Sequence, residues 1–301
     1  MTQCGYVAFL GAPNAGKSTL LNQLAGQKLA IVTPKAQTTR HRITGIVMHE
    51  QTQLVLVDVP GVFEPPKKQK FEQAMVSCAW QNVADADVIV VLVDAARGIK
   101  GETKLLLEGL KDRLPGARRD VVLVLNKIDK MRKDELLMLT QQCGAYYDFA
   151  DIYYISALKG DGVEELKAQL AARMPKGPYL YPEDQVTDMS LRILASEITR
   201  EKLFLRLRDE LPYSVAVETE AWEERNDGSV KVSQVIYVER ESQKKIILGK
   251  GGQMLKAIGE ASRGELTHML EQTVHLFLFV KLREDWKASK EQFDYLGLSK
   301  R

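Results

Sequence analysis

The chain has 301 residues, 45% hydrophobic and 27% charged, a composition that excludes a disordered or fibrous protein and a length that suits two hydrophobic cores. A net charge of +2 excludes a whole-molecule field strong enough to draw the chain onto polyanions, so such binding has to come from local patches. Cys4, Cys78 and Cys143 are far apart, without a C-x-x-C pair. They point to a reducing compartment, the cytosol, with no disulfide framework or zinc site.

Tyr6–Leu10 reads as a buried strand rather than the apolar part of a leader, and no apolar run reaches membrane-spanning length. Directly after it comes Gly11-Ala12-Pro13-Asn14-Ala15-Gly16-Lys17-Ser18, then the helical Thr19-Leu20-Leu21. This is G-x-x-x-x-G-K-[ST] in a strand–loop–helix setting. Its glycines let backbone N–H groups wrap phosphates at a helix N-terminus. Asn14, Ala15, Gly16, Lys17, Ser18 and Thr19 are therefore expected at a nucleotide. Lys17 should reach the β- and γ-phosphates, and the Ser18 hydroxyl should hold Mg²⁺.

The segment Lys35-Ala36-Gln37-Thr38-Thr39-Arg40-His41-Arg42 follows the first helix. A threonine there, Thr39 in preference to Thr38, can complete Mg²⁺ coordination only with the γ-phosphate present, so the segment should order and disorder with nucleotide state. Ile43–Val47 and Leu54–Asp58 are joined too tightly for a crossover helix and should pair antiparallel. Asp58-Val59-Pro60-Gly61 ends the second of them, lifting a metal-holding carboxylate to the strand edge and letting the Gly61 N–H approach the γ-phosphate.

Strands continue at Val88–Asp94, Val121–Asn126 and Ile152–Ile155, alternating with helices that begin near Phe71, Glu102, Lys133 and Gly162. The rhythm is an α/β fold: a mostly parallel sheet with helices on both faces. Asn126-Lys127-Ile128-Asp129 supplies a carboxylate that can accept from guanine N1–H and its exocyclic amine. Adenine would leave Asp129 buried and unpaired. Ser156-Ala157-Leu158 should offer backbone N–H to the guanine O6. The histidines His41, His49, His268 and His275 lie at no familiar metal-ligand spacing.

Met174-Pro175-Lys176-Gly177-Pro178, followed by Tyr179-Leu180-Tyr181-Pro182, breaks the alternation, because its prolines fit neither a helix interior nor a central strand. The domain boundaries read as 1–174, a linker at 175–187, and 188–301. Beyond the linker come an amphipathic helix from Leu191 ending at Pro212, strands Ser214–Glu220 and Val230–Glu239, helical residues Gln253–Glu271 and the strand Val274–Leu282, a smaller α+β domain. Within it, Gly249-Lys250-Gly251-Gly252 forms a G-x-x-G loop flanked by Lys244, Lys245 and Lys256, where a backbone turn and positive charge suit a clamp on single-stranded RNA. Tyr237, Phe277 and Phe279 read as core residues of strands, and Trp222 and Trp286 fit either core or stacking.

The first domain, with P-N-x-G-K-S, Q-T-T-R-H-R, D-x-P-G and N-K-x-D in this order, resembles the translation-factor-like GTPases and, among them, the Era family. The second resembles a type II KH domain, so the likeness spans essentially the whole chain. It implies a GTPase with slow intrinsic turnover, since Val62 stands where a water-orienting glutamine would sit. It also implies GTP, GDP and Mg²⁺ as ligands, with a K⁺ ion near the phosphates assisted by Asn14. The catalytic set is then Lys17, Thr39 and Gly61, and the metal set Ser18, Thr39 and Asp58. As partners the resemblance implies the 3′ region of 16S ribosomal RNA and the assembling 30S subunit. A rival reading is a regulatory switch in cell-cycle control, attached peripherally to the inner face of the cell membrane. Against it, the chain has no lipidation motif or basic amphipathic helix. Without a coiled-coil heptad, a monomer is expected.

Overall fold

The computed structural model describes residues 1–35, 38–40, 42–65, 70–114, 120–284 and 286, Ala84 by its backbone only. Ala36, Gln37 and His41 of the predicted switch segment lie outside the described residues. The chain divides into two compact units, Met1–Asp188 and, among the described residues, Met189 onward.

In the first unit the elements are β1 (Gln3–Gly11), α1 (Lys17–Ala25), β2 (Ile43–His49), β3 (Thr52–Asp58), α2 (Lys70–Ala84), β4 (Val88–Asp94), α3 (Glu102–Arg113), β5 (Asp120–Asn126), α4 (Lys133–Gly144), β6 (Asp151–Ile155) and α5 (Val163–Ala172). The sheet order is β2-β3-β1-β4-β5-β6. All neighbours run parallel except β2 and β3, the tight antiparallel pair. Both faces of β3 and β4 are buried throughout, which is why VIVVLVD reads as an unbroken apolar run instead of an alternating one. From β1 the chain goes first to β3 on one side and then to β4 on the other. That reversal opens a crevice at the carboxyl edge of β1, where ligands of such sheets bind. Asp58, Asp94 and Asn126 each end a strand on that same edge.

The proline-rich segment predicted as a linker lies along this unit. The Cys4 N–H donates to Pro175 O at 3.1 Å. The fully buried amide of Gln53 accepts from the N–H groups of Leu180 (2.9 Å) and Tyr181 (3.0 Å) and donates to Tyr181 O (2.8 Å). Further on, Ile46 N–H donates to Val186 O at 2.9 Å and Thr187 Oγ1 donates to Thr44 O at 2.7 Å. Gln53 does for this irregular backbone what a neighbouring strand would do, satisfying its N–H and C=O groups.

The second unit runs α6 (Leu191–Arg206), β7 (Val215–Glu224), β8 (Val230–Val238), α7 (Glu241–Leu248), α8 (Gln253–Leu270) and β9 (Val274–Leu282). β8 is central, antiparallel to β7 and parallel to β9, so α7 and α8 form the crossover that a parallel pair requires. Leu203, Val217, Ile236, Ile247 and Ile258 make its core. α6 stops at Arg206, not at Pro212: Leu207 is already extended, and Pro212 lies in a separate short turn, Leu211–Ser214. Phe277 and Phe279 are 46% and 52% exposed, contrary to the core reading. Leu276, Leu278 and Val280 are the β9 residues packed against core residues, and strand periodicity of two turns the phenylalanines to the opposite face. Trp286 is fully buried and its indole N–H donates to Ser214 O (3.3 Å). Trp222 packs partly buried against the core.

Candidate functional site

Gly16 caps α1 at φ 105° and Asn14 sits at φ 64°, left-handed backbone that wraps the Gly11–Ser18 loop over the start of the helix. Lys17 is buried, with its ammonium donating to the carbonyls of Gly11 (3.1 Å) and Ala12 (3.3 Å). Burial pushes its pKa below the ordinary lysine value, against the pull of Asp58. The loop walls a cavity of about 370 Å³ whose lining includes Asn14, Lys17, Thr19, Thr38, Gly61 and Lys127.

Ser18 and Thr39 line this cavity at one end, where the hydroxyls of both meet Asp58. Ser18 Oγ donates to Asp58 Oδ2 at 2.6 Å, Thr39 Oγ1 donates to the same oxygen at 3.2 Å, and the two hydroxyls are 3.0 Å apart. Asp58 is fully buried, and its Oδ1 has no hydrogen-bond partner among the described residues. Burial raises its pKa, while Lys17 and the two hydroxyls oppose the rise. A buried carboxylate with an oxygen to spare, beside two hydroxyls, is a donor set suited to a hard divalent cation. A Cβ on Gly61 would lie 2.9 Å from Pro13 N, so only glycine allows this approach to the loop. Val62 is buried in the core beside Leu10, its N–H donating to Gly11 O (3.1 Å).

At the other end, two consecutive residues reach back to the phosphate loop. Asn126 donates from Nδ2 to Ala15 O (2.8 Å), and its Oδ1 accepts from Lys127 N (2.8 Å) and Ala157 N (2.9 Å). Lys127 Nζ donates to Asn14 O (2.8 Å) and pairs with Asp94 Oδ2 (2.6 Å). Asp129 is exposed and lies in the short turn Ile128–Lys130. It accepts from Ser156 Oγ at 2.8 Å, the main reason its pKa falls below the usual carboxylate value. The N–H groups of Ser156 and Ala157 are taken by Asp161 O and Asn126 Oδ1. Leu158 is 78% exposed, and its N–H is unbonded among the described residues. Sequence reasoning missed Asp94 and the hydroxyl of Ser156. The available signal for Asp94 was that it ends an apolar strand as Asp58 does.

In the second unit, α7 closes on Gly249 (φ 71°) and a short turn, Lys250–Gly252, leads into α8. Gly251 and Gly252 are also left-handed, and a Cβ on either would meet nothing within 4 Å, which leaves the turn's backbone approachable from outside. Lys245 and Lys250 are exposed and Lys244 is half-buried, none of them ion-paired among the described residues. Lys256 is exposed and 3.9 Å from Glu260. Among the described residues no helix is long and apolar enough to cross a membrane.

Fold and site together define a P-loop nucleotide-binding domain followed by a KH domain. Residues 6–127 match a family described as 50S ribosome-binding GTPase, and residues 210–287 match the KH domain family. The GTPase Era of Sinorhizobium medicae (strain WSM419) is 53% identical over 297 residues, 99% of this chain and 94% of that protein. The GTPase Era of Brucella suis biovar 1 is also 53% identical, with the same coverage of 99% and 94%. A crystal structure of an Aquifex aeolicus Era variant bound to GDP and AlF4⁻ superposes with a TM-score of 0.92 at 38% identity, covering 99% of this chain and all of that one. Another, of Era with MgGDPNP and nucleotides 1506–1542 of 16S ribosomal RNA, gives 0.93 at 37% identity over the full length of both chains. The chain belongs to the GTPase Era family.

Proposed function

We propose that this protein is a Mg²⁺-dependent GTPase whose KH unit binds the 3′ region of 16S ribosomal RNA during assembly of the 30S subunit. The observation that carries the proposal is the convergence of Ser18, Thr39 and the partly unsatisfied Asp58 beside Lys17, in a chain related over its full length to Era proteins. Asn14–Thr19 receive the phosphates, and Lys127, Asp129 and the segment Ser156–Leu158 receive guanine. Ser18, Thr39 and Asp58 would hold Mg²⁺, which when bound neutralises charge developing on the phosphoryl oxygens. Lys17 and the N–H of Gly61 serve the γ-phosphate. Val62 has no group to orient the attacking water, which accounts for slow intrinsic turnover. Asn14 donates to Pro34 O (3.4 Å) through Nδ2, so its Oδ1 is available to a K⁺ ion. Equal turnover in Na⁺ and K⁺ buffers would remove that detail.

Nucleotide state is proposed to gate RNA affinity. The supporting contacts are those of Thr44 with Thr187 and Ile46 with Val186, which tie the strand following Thr39 to the chain leading out of the first unit. Lys244, Lys245, Lys250 and Lys256 surround the Gly249–Gly252 turn that would clamp the RNA. The protein is read as a cytoplasmic monomer, and no observation favours attachment to the inner membrane face.

The test is binding of a labelled oligonucleotide with the 16S 3′ end, in GDP and in a non-hydrolysable GTP analogue, to wild type and Gly251→Asp. Open space around Gly251 admits the added carboxylate, which should repel phosphate, at a cost of about 1 kcal/mol for a side chain at φ 60°. Binding favoured by the GTP analogue and lost in the variant is expected. Binding indifferent to both would refute the RNA assignment.

A further inference from the structure

Asp94 belongs to none of the nucleotide-binding motifs, yet it touches the group that joins two of them. It ends β4 opposite Asn126 of β5 and is 5% exposed. Its Oδ2 lies 2.6 Å from Lys127 Nζ, and its Oδ1 accepts the Ala96 N–H at 3.1 Å. Lys127 Nζ in turn donates to Asn14 O at 2.8 Å.

An ammonium on a four-carbon chain is a rotatable point charge with three donors and no preferred direction. Two of its donors here are fixed, one by a carboxylate and one by a phosphate-loop carbonyl. The residues at both ends of that second bond, Asn14 (φ 64°) and Lys127 (φ 67°), are non-glycine residues in the left-handed region. Such backbone persists only where its surroundings over-determine it. Asn126 supplies a parallel tie one residue along, from Nδ2 to Ala15 O. The neutral amide of Asn126 is held by the backbone N–H groups of Lys127 and Ala157, whereas the direction of the Lys127 ammonium depends on a charge outside the motif.

We propose that Asp94 is a positioning residue for guanine-nucleotide binding. It holds the Lys127 ammonium on the Asn14 carbonyl, and so locks the base-recognising turn to the phosphate-binding loop before nucleotide arrives. Arg97 Nε, at 3.8 Å from the same carboxylate and on a 64% exposed side chain, is too distant and too wet to replace Lys127. The inference rests on the reading that the cavity beside Lys127 binds guanine nucleotide.

The experiment is a double-mutant cycle on the full chain, reading the Kd for a fluorescent GDP in Mg²⁺ buffer. Asp94→Asn keeps the size of the side chain and an acceptor for Ala96 N–H but removes the charge. It should raise the Kd about tenfold, as expected for loss of a charge-assisted hydrogen bond that orders a binding group. In a Lys127→Ala background the same change should move the Kd less than about twofold, because its route to the nucleotide through the Lys127 ammonium is gone. Asp94→Glu retains the charge and should recover part of the affinity, a rescue that a packing defect would not give. Equal losses in both backgrounds, or no loss from Asp94→Asn in wild type, would overturn the inference. If Asp94→Asn does not fold, the Asp94→Glu cycle decides in the same way. Wild type that binds no GDP would instead overturn the functional reading, and this inference with it.

Discussion

Replacing Asn126 with alanine tests how the base and phosphate loops are held together. Asn126 is 2% exposed, and its amide serves three backbone groups: Ala15 O, Lys127 N and Ala157 N, at 2.8, 2.8 and 2.9 Å. Alanine would strand all three where water has little access. Each stranded group costs about 1 kcal/mol at the low end of the usual range, so the loss is about 3 kcal/mol. For a unit of this size, each kcal/mol lowers the melting temperature by about 2–4 °C, giving a drop of roughly 6–12 °C. Thermal unfolding followed by tryptophan fluorescence and circular dichroism would measure it, with the transition of the second unit as an internal reference. GDP affinity should fall as well, since the Ala15 carbonyl and the Asp129 turn lose their common anchor. A melting shift under about 2 °C would refute the assignment of Asn126 as the structural link between the loops.

Four further outcomes follow from local geometry. Asp58→Asn removes a buried carboxylate that has an unsatisfied oxygen but also offsets the charge of buried Lys17, so without Mg²⁺ the two effects oppose one another and the variant should still fold. Calorimetric titration should nevertheless show that Mg²⁺ no longer strengthens GDP binding, a loss of about tenfold or more. Gly249→Ala would place a Cβ 2.7 Å from the Met254 Cβ at φ 71°, costing about 2–3 kcal/mol in urea unfolding of the second unit. Gly251→Ala, with nothing within 4 Å, should cost only the left-handed backbone preference, about 1 kcal/mol. The Cys143 thiol is fully buried, and burial pushes its pKa up from 9.0 to about 11. A raised pKa means the folded state holds the proton more tightly. That contribution is complete below pH 9.0 and is lost as pH rises towards about 11, an effect on the order of 2 kcal/mol that Cys143→Ala should lack in paired urea midpoints measured across the window.

The sequence by itself determined what depends on neighbours along the chain. The Gly11–Ser18 loop was legible because its chemistry is a run of backbone N–H groups between a strand and a helix, all specified within eight positions. The alternation of apolar strands with amphipathic helices was legible because burial on both sheet faces leaves unbroken runs such as Val88–Val93. Asp58 was legible as the residue that ends such a run.

Tertiary structure alone decided the pairings across it. Asp94 and Lys127 are 33 residues apart and Asn126 and Ala15 are 111 apart, yet parallel strands bring their ends to one edge. Sequence pattern cannot choose between strand orders, so it cannot say which ends meet. Three prolines marked 175–187 as a linker, but what lay beside it depended on partners far back in the chain, among them the buried amide of Gln53, in a strand 127 residues earlier. Phe277 and Phe279 read as core because they are aromatic residues of a strand, although they share its face with His275 and Lys281. Their exposure followed when Leu276, Leu278 and Val280 took the packed face, the face against which α7 and α8 are laid by the tertiary structure.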